Sequence, residues 1–267
     1  GFSADLSGPV TDWALFHADN AYFYPDVELR SHPLRTHTVS NTAFRGFGGP
    51  QGVIVAERMI EEIAYALGRD PYEIRRKNLY RNGQLTPYHQ PVEDQILPRI
   101  FQELETDCDY HARRQAVLDW NAKAGVIRKG IALTPVKFGI SFTATWFNQA
   151  GSLIHVYSDG SISLNHGGTE MGQGLHTKML AICAHELGAD LGQVRIMPTS
   201  TDKVPNTSAT AASSGSDLNG QAVRNACVEV RERMRPIAAQ LLGVSGGDAD
   251  TIVFAGGKVY LPGQEHK

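Results

Sequence analysis

Residues 41–51 read Asn-Thr-Ala-Phe-Arg-Gly-Phe-Gly-Gly-Pro-Gln, which places one arginine and two aromatic rings in a loop with three glycines, closed by a proline. Glycine lets backbone approach a ligand closely and adopt dihedrals other residues avoid. Pro50 suits the first turn of a helix, where its missing N–H costs nothing. A helix opening near Gln51 would aim unpaired N–H groups at whatever the loop holds, and such ends favour anions. Phe44 and Phe47 add flat apolar faces, and Arg45 adds a forked cation. Two readings fit: a site for a planar, partly anionic ligand, or a tight loop that packs its own aromatics.

Two more stretches of small residues lead into helices, Gly167–Gly174 and Thr210–Gly215. If the three loops converge, they suit one polyanionic or hydrogen-bonding cofactor. A nucleotide P-loop is excluded, because none of them ends in Gly-Lys-Ser/Thr. A zinc site from His166, His176 and His185 is disfavoured, because these residues lack the i, i+4 spacing of a helical ligand pair.

Four further stretches occur in order: Ala14-Leu15-Phe16-His17-Ala18-Asp19-Asn20-Ala21-Tyr22; Lys137-Phe138-Gly139-Ile140-Ser141-Phe142-Thr143 with Asn148-Gln149-Ala150-Gly151; His166 to His176; and Thr210-Ala211-Ala212-Ser213-Ser214. Together with the first loop they resemble the molybdopterin-binding subunit of the xanthine oxidase family of molybdenum hydroxylases, its xanthine dehydrogenase branch in particular, to about residue 235.

The resemblance implies an α+β fold, mixed in its helices and strands and incomplete at both ends. Residues 1–120 would be the C-terminal part of a first molybdopterin-binding domain and 121–267 the N-terminal part of a second. It implies a molybdopterin cofactor carrying molybdenum, held by Arg45, Gly172, Gln173, Ala211, Ala212, Ser213 and Ser214. Arg45 and Ala212 would lie beside the metal through their backbone. Phe47 and Phe142 would sandwich a planar heterocycle, with Thr143 bonding its edge; taken alone, Phe142 reads as a core residue on an apolar strand. The implied activity is hydroxylation of hypoxanthine or xanthine toward urate. Electrons would leave to 2Fe-2S clusters and FAD on other domains or chains, within an oligomeric enzyme.

Two departures matter. The family's general-base glutamate belongs to a Gly-Glu-Pro-Pro segment that is not in this chain, so no catalytic residue is assigned and the chain by itself is expected to be inactive. Purine-hydroxylating members resemble Asp-Arg-Ala-Leu-Phe-His where this chain has Asp12-Trp13-Ala14-Leu15-Phe16-His17. Trp13 therefore takes the place of an arginine in the substrate site, and it donates one neutral N–H at most. That substitution keeps open a hydroxylase for aldehydes or another N-heterocycle. The reading from outside enzymes is a non-catalytic scaffold.

The elements that must position these residues follow from periodicity and caps. Ala56, Met59, Ile60, Ile63, Ala64 and Leu67 mark one helical face ending at Gly68. Asp70-Pro71 opens a second helix to about Tyr80, whose run Arg75-Arg76-Lys77 reads as a solvated face or subunit contact. Residues 81–97 form an excursion, and one helical segment then runs to about Ala124. Strands are expected over 131–143, 152–158 and 161–165, with Asp159-Gly160 as the turn. A helix over 173–187, a strand at 194–197, a helix over 217–242 broken or kinked at Pro236 and a hairpin over 251–261 complete the chain. The domain junction is expected at 110–130.

Bulk composition is that of an ordinary globular domain pair: 267 residues, 42% hydrophobic and 20% charged. A net charge of −3 gives no reason to expect nucleic acid or an anionic membrane as partner. Cys108, Cys183 and Cys227 form no CxxC pattern and fit a reducing, cytoplasmic setting.

Overall fold

The computed structural model describes residues 3–203 and 206–265. The chain forms two compact units, Gly1–Gly139 and Ile140–Lys267.

The first unit is helical: α1 (Ser7–Phe16), α2 (Gly49–Ala66), α3 (Pro71–Asn78), α4 (Leu97–Asp107) and α5 (Tyr110–Lys123). Helix α1 lies where no element was expected. It crosses the start of α2 with almost no gap, because a Cβ at Gly48 would collide with the Val10 carbonyl and one at Gly52 with the Ala14 carbonyl. Gly48 also holds φ +104°, which L side chains avoid. On α2 the buried stripe is Ala56, Ile60 and Ala64, one residue per turn; Met59, Ile63 and Leu67, expected on the same face, stand exposed. Small residues on that stripe let α2 sink deep into its neighbours, so only a narrow face is covered.

Asp70 caps α3 as expected, accepting the Tyr72 N–H at 2.9 Å, with Pro71 at the first turn. The basic run on α3 is corrected by its first member. Arg75 is fully buried, donating to Glu57 at 2.7 Å and Glu61 at 3.1 Å. The Tyr22 hydroxyl and the Asn20 amide also donate to Glu57, at 2.5 and 2.8 Å. The single helix expected before Ala124 is two, parted at Asp109, whose φ of +48° no helix continues through.

Residues 131–139 are extended but pair with no strand. Side chains of the first unit stand in for a neighbouring strand: Asn20 donates to the Pro135 carbonyl at 3.0 Å and accepts the Lys137 N–H at 3.1 Å, and Lys137 is ion-paired to the buried Asp19. Ile131 and Leu133 pack on the helical core. The compact units divide at Gly139.

The second unit is a three-stranded sheet covered by two helices. Strand β1 (Ser152–Val156) pairs antiparallel with β2 (Ile162–His166), which pairs parallel with β3 (Val194–Ile196). Alternation along β2 turns Ile162, Leu164 and His166 inward. There Ile162 and Leu164 meet Leu175, Met179, Cys183 and Leu187 of α6 (Leu175–Leu187) and Val223 and Cys227 of α7 (Gly215–Leu242). Helix α7 runs through Pro236 unbroken. The hairpin of β4 (Val253–Ala255) and β5 (Lys258–Tyr260) is tied to the end of α6 by the Gly257 N–H bonding the Gly188 carbonyl at 2.6 Å.

Removing one partner of the buried ion pair leaves the other uncompensated, a loss of about 3–5 kcal/mol. Glu57→Ala is expected to lower stability by that amount in urea unfolding, since it strands Arg75, Tyr22 and Asn20 together. A loss below about 1 kcal/mol, the worth of an exposed pair, would show that Glu61 and water compensate.

Candidate functional site

In the first unit the loop ahead of α2 is a tight turn, in which the Phe47 N–H donates to the Phe44 carbonyl at 2.7 Å. Arg45 projects from its tip into solvent, and Phe44 is exposed as well. Phe47 is half-buried and holds φ +50°. The loop does not pack both of its aromatics, which disfavours the purely structural reading.

Phe138 closes over Gly49, where a Cβ would strike its ring. Trp13, on α1, meets Phe138 edge-on at 6.2 Å and lies on His17 at 4.9 Å. The His17 Nε2 accepts the Gly139 N–H at 3.0 Å, and its Nδ1 lies 2.8 Å from the Trp13 carbonyl. A carbonyl only accepts, so His17 is the neutral Nδ1–H tautomer. Burial, the largest influence, pulls its pKa down in agreement.

In the second unit three loops are bonded to one another. The Ser141 N–H donates to the Ala212 carbonyl at 2.9 Å, joining the Phe142–Thr143 segment to the loop ahead of α7. The Thr169 N–H donates to the Thr210 hydroxyl at 2.8 Å, joining that loop to 167–174. Thr199 donates to the Gly168 carbonyl at 3.2 Å. Phe142 is half-buried and Thr143 exposed. Ser214 is buried and turned onto its own loop, its hydroxyl donating to the Ala211 carbonyl at 3.1 Å, whereas Ala211 and Ser213 are exposed.

Backbone strain gathers in these loops. Eight described non-glycine residues have positive φ, and four of them are Phe47, Ser141, Ala212 and Ser213. Such angles are sparsely populated and persist where the surroundings over-determine them.

The two helix starts in this unit differ electrically. Ahead of α6 the amides are already taken: the Glu170 carboxylate accepts the N–H groups of Gly172 at 2.8 Å, Gly174 at 3.0 Å and His176 at 3.0 Å. These bonds, that from His176 foremost, hold the Glu170 pKa below its usual range. The Gln173 side chain is likewise spent on its own loop, donating to the Thr169 carbonyl at 2.9 Å and accepting the Met171 N–H at 2.5 Å. The Ser214 side chain makes no capping bond to α7.

Buried polar atoms without partners lie beside the 167–174 loop. His166 Nε2, His176 Nε2 and Asn219 Oδ1 have none among the described residues, and all three surround the 167–174 loop. The two imidazoles pack edge-to-face at 5.2 Å, and the Asn219 amide lies against Gly168. Burial chiefly, and His176 secondarily, lowers the His166 pKa to about 4. His185 lines the outer groove between α6 and α7 instead. No group of three or more His, Cys, Asp or Glu among the described residues could hold a metal ion.

Comparison with known proteins decides the kind of ligand. Two family models match, each described as a molybdopterin cofactor-binding domain, over residues 1–79 and 103–267. The chain belongs to the molybdopterin cofactor-binding domain family. Among its relatives is a xanthine dehydrogenase/oxidase of Gallus gallus, 48% identical over 237 residues, which are 89% of this chain and 18% of that protein. A nicotinate hydroxylase of Emericella nidulans is 47% identical over 252 residues, 94% of this chain and 18% of that protein. The chain thus spans about a fifth of the length of the curated relatives it matches. The fold matches a quinoline 2-oxidoreductase from Pseudomonas putida 86 with TM-score 0.74 at 22% identity, covering 95% of this chain and 33% of that one. An aldehyde oxidoreductase from Desulfovibrio desulfuricans matches with TM-score 0.73 at 23% identity, covering 89% and 27%.

The residues present fit a molybdopterin. Its ring edges need hydrogen-bond partners, and the atoms left unpartnered beside the 167–174 loop, two imidazole nitrogens and an amide oxygen, are of that chemistry. No described helix is long and apolar enough to cross a membrane.

His166 binds a proton less readily folded than unfolded, with a pKa of about 4 against an ordinary 6.5. Its contribution is therefore complete above the unfolded value and is lost as pH falls from there toward 4. Urea unfolding is expected to show a loss on the order of 2–3 kcal/mol across that window, and His166→Phe should flatten the slope. Equal slopes in the two proteins would mean that His166 protonates freely in the fold.

Proposed function

We propose that this chain forms part of the cofactor- and substrate-binding portion of a molybdenum hydroxylase of the xanthine dehydrogenase type, acting on carbon next to nitrogen in a heteroaromatic ring. The observation that carries this reading is the bonding together of the strained 141–143 and 210–214 segments with the 167–174 loop, in a chain whose family binds molybdopterin. When bound, the cofactor supplies the two-electron redox chemistry; the chain binds, orients and shields.

Within that reading Arg45, Gly172, Gln173, Ala211, Ala212, Ser213 and Ser214 hold the cofactor. Phe47, Phe142, Thr143 and Trp13 meet the substrate, Ala212 and Arg45 lying nearest the metal through their backbone. The full enzyme draws on iron–sulfur and FAD parts, is oligomeric, and works in the reducing cytoplasm that suits the three free cysteines.

A second reading concerns the substrate and rests on Trp13. Its surroundings are Phe16, neutral His17 and Phe138, an uncharged aromatic patch. Such a patch favours a less polar ring or an aldehyde over a purine, whose carbonyl gathers charge in the transition state. The likeness to a nicotinate hydroxylase is compatible with this.

Substrate kinetics on the molybdenum-loaded, full-length protein test both readings. Trp13→Arg is expected to raise kcat/KM for hypoxanthine by roughly tenfold or more, since one preorganised donor on developing charge is worth about 10²–10³ in rate. Equal purine rates at equal molybdenum content would place Trp13 outside the pocket.

Phe47→Ala should raise KM for aromatic substrates by about 2- to 12-fold, the worth of lost ring contact, and leave molybdenum content unchanged. Loss of the metal would make Phe47 part of the cofactor cage instead of a substrate wall.

A further inference from the structure

Phe142 sits in a segment that has lost its strand neighbours. Residues 141–144 are irregular and belong to no sheet, and Ser141 spends its N–H on Ala212 while holding φ +87°. The backbone polar groups of Phe142 are nevertheless both satisfied, by one side chain. Asn148 Oδ1 accepts the Phe142 N–H at 2.8 Å, and Asn148 Nδ2 donates to the Phe142 carbonyl at 2.9 Å.

A primary amide is the one short side chain that can accept and donate side by side, as a neighbouring strand would. The 3₁₀ turn Thr145–Phe147 folds the chain back so that Asn148 can reach, its own N–H bonding the Thr145 carbonyl at 3.0 Å. The same turn sets the Phe147 ring edge-on to Phe142 at 5.8 Å and 64°. Backbone and ring of Phe142 are thus held by two residues of one turn, and the adjoining residue is fastened to the Ala212 loop.

We propose that Asn148 is a positioning residue for substrate selection: its paired bonds to the Phe142 backbone set where the Phe142 ring stands. This rests on the reading of Phe142 as a wall of the substrate site. On this proposal Asn148 acts through Phe142, to which both of its amide atoms are committed, so its loss should appear in KM and not in the chemical step.

The test is steady-state kinetics on the full-length, molybdenum-loaded protein with its heteroaromatic substrate, comparing Asn148→Ala, Asn148→Asp, Phe142→Ala and the double variant Asn148→Ala/Phe142→Ala. Asn148→Ala should raise KM about tenfold, the size of losing a half-buried pair of hydrogen bonds. Its kcat should stay within about threefold and its molybdenum content should not change. Asn148→Asp keeps the size and the acceptor but cannot donate, so it should fall between; it serves as the decisive variant if Asn148→Ala does not fold. The double variant should be no worse than Phe142→Ala, because both changes remove one function.

A KM for Asn148→Ala and Asn148→Asp equal to that of the parent, beside a raised KM for Phe142→Ala, would overturn the role of Asn148 and leave the wall intact. Effects that multiply in the double variant, or loss of molybdenum from Asn148→Asp, would overturn it also. An unchanged KM for Phe142→Ala would remove the wall, and the role of Asn148 with it.

Discussion

The Ser141 N–H meets the Ala212 carbonyl at 2.9 Å, and both residues hold backbone that L side chains normally avoid. Neither geometry would persist alone, since each left-handed residue of this kind costs of order 1–3 kcal/mol. They are maintained because the chain on either side is anchored in regular structure. Strands β1 and β2 lie behind one loop and the 28-residue helix α7 behind the other. Much of what the second unit presents follows from this bond, which ties the segment of Phe142 to the strained bend on which Ser213 stands exposed. A relaxed loop could reach the same place but would not hold one shape, and holding a large rigid cofactor requires one shape.

Charge is handled differently at neighbouring helix starts. Helix α6 is closed by the protein itself, Glu170 taking three amides that would otherwise draw an anion. A carboxylate there repels a second anion, so this end of the loop favours neutral hydrogen-bonding groups. The nearby atoms without partners, two imidazole nitrogens and an amide oxygen, match that character. The Ser214 side chain makes no such bond at the start of α7, so on the proposed reading that start is the one in this unit left for a phosphate. Loops that look alike as strings of small residues thus offer unlike surfaces, and on the proposed reading a cofactor with a polar ring system at one end and a phosphate at the other would use both.

How much of this could be read beforehand depends on how local each signal is. Asp70-Pro71 and the turns at Asp159-Gly160 and Ala255-Gly256-Gly257 act within a few residues, and the elements they bound were legible. Helix α1 was not, because it buries no residue fully and so carries no apolar stripe. Residues 131–139 carry an extended pattern, but their partners are the side chains of Asn20, Asp19 and His17, more than 110 positions earlier. Arg75 looks like a surface charge until Glu57 and Glu61, one turn apart on α2, are brought against it. At the site, the glycines announced the loops, whereas the bonds that Glu170 and Asn148 make to them depend on turns that composition does not specify. Both lie within six residues of what they bind, so an acidic residue within a glycine-rich loop, or an amide just beyond a strained segment, is the signal that was there to be used.

The aromatic patch at Trp13 carries the argument about specificity furthest. His17 is held neutral from both sides, its Nδ1–H committed to the Trp13 carbonyl and its Nε2 to the Gly139 N–H. Protonation would turn Nε2 from acceptor to donor and set it against that N–H, so the ring under the indole does not become a cation at working pH. The nearest ammonium, Lys137, is bound to the buried Asp19 and boxed by the faces of Tyr80 and Tyr88 at 5.5 and 5.1 Å. Releasing it would strand Asp19 in the core, at a cost of several kcal/mol for an unpaired buried charge. The first unit therefore has a lysine close by and cannot lend it to a substrate. On the proposed reading, a ring bound beside Trp13 is selected by shape and stacking, and charge that develops on it must be met from elsewhere in the enzyme.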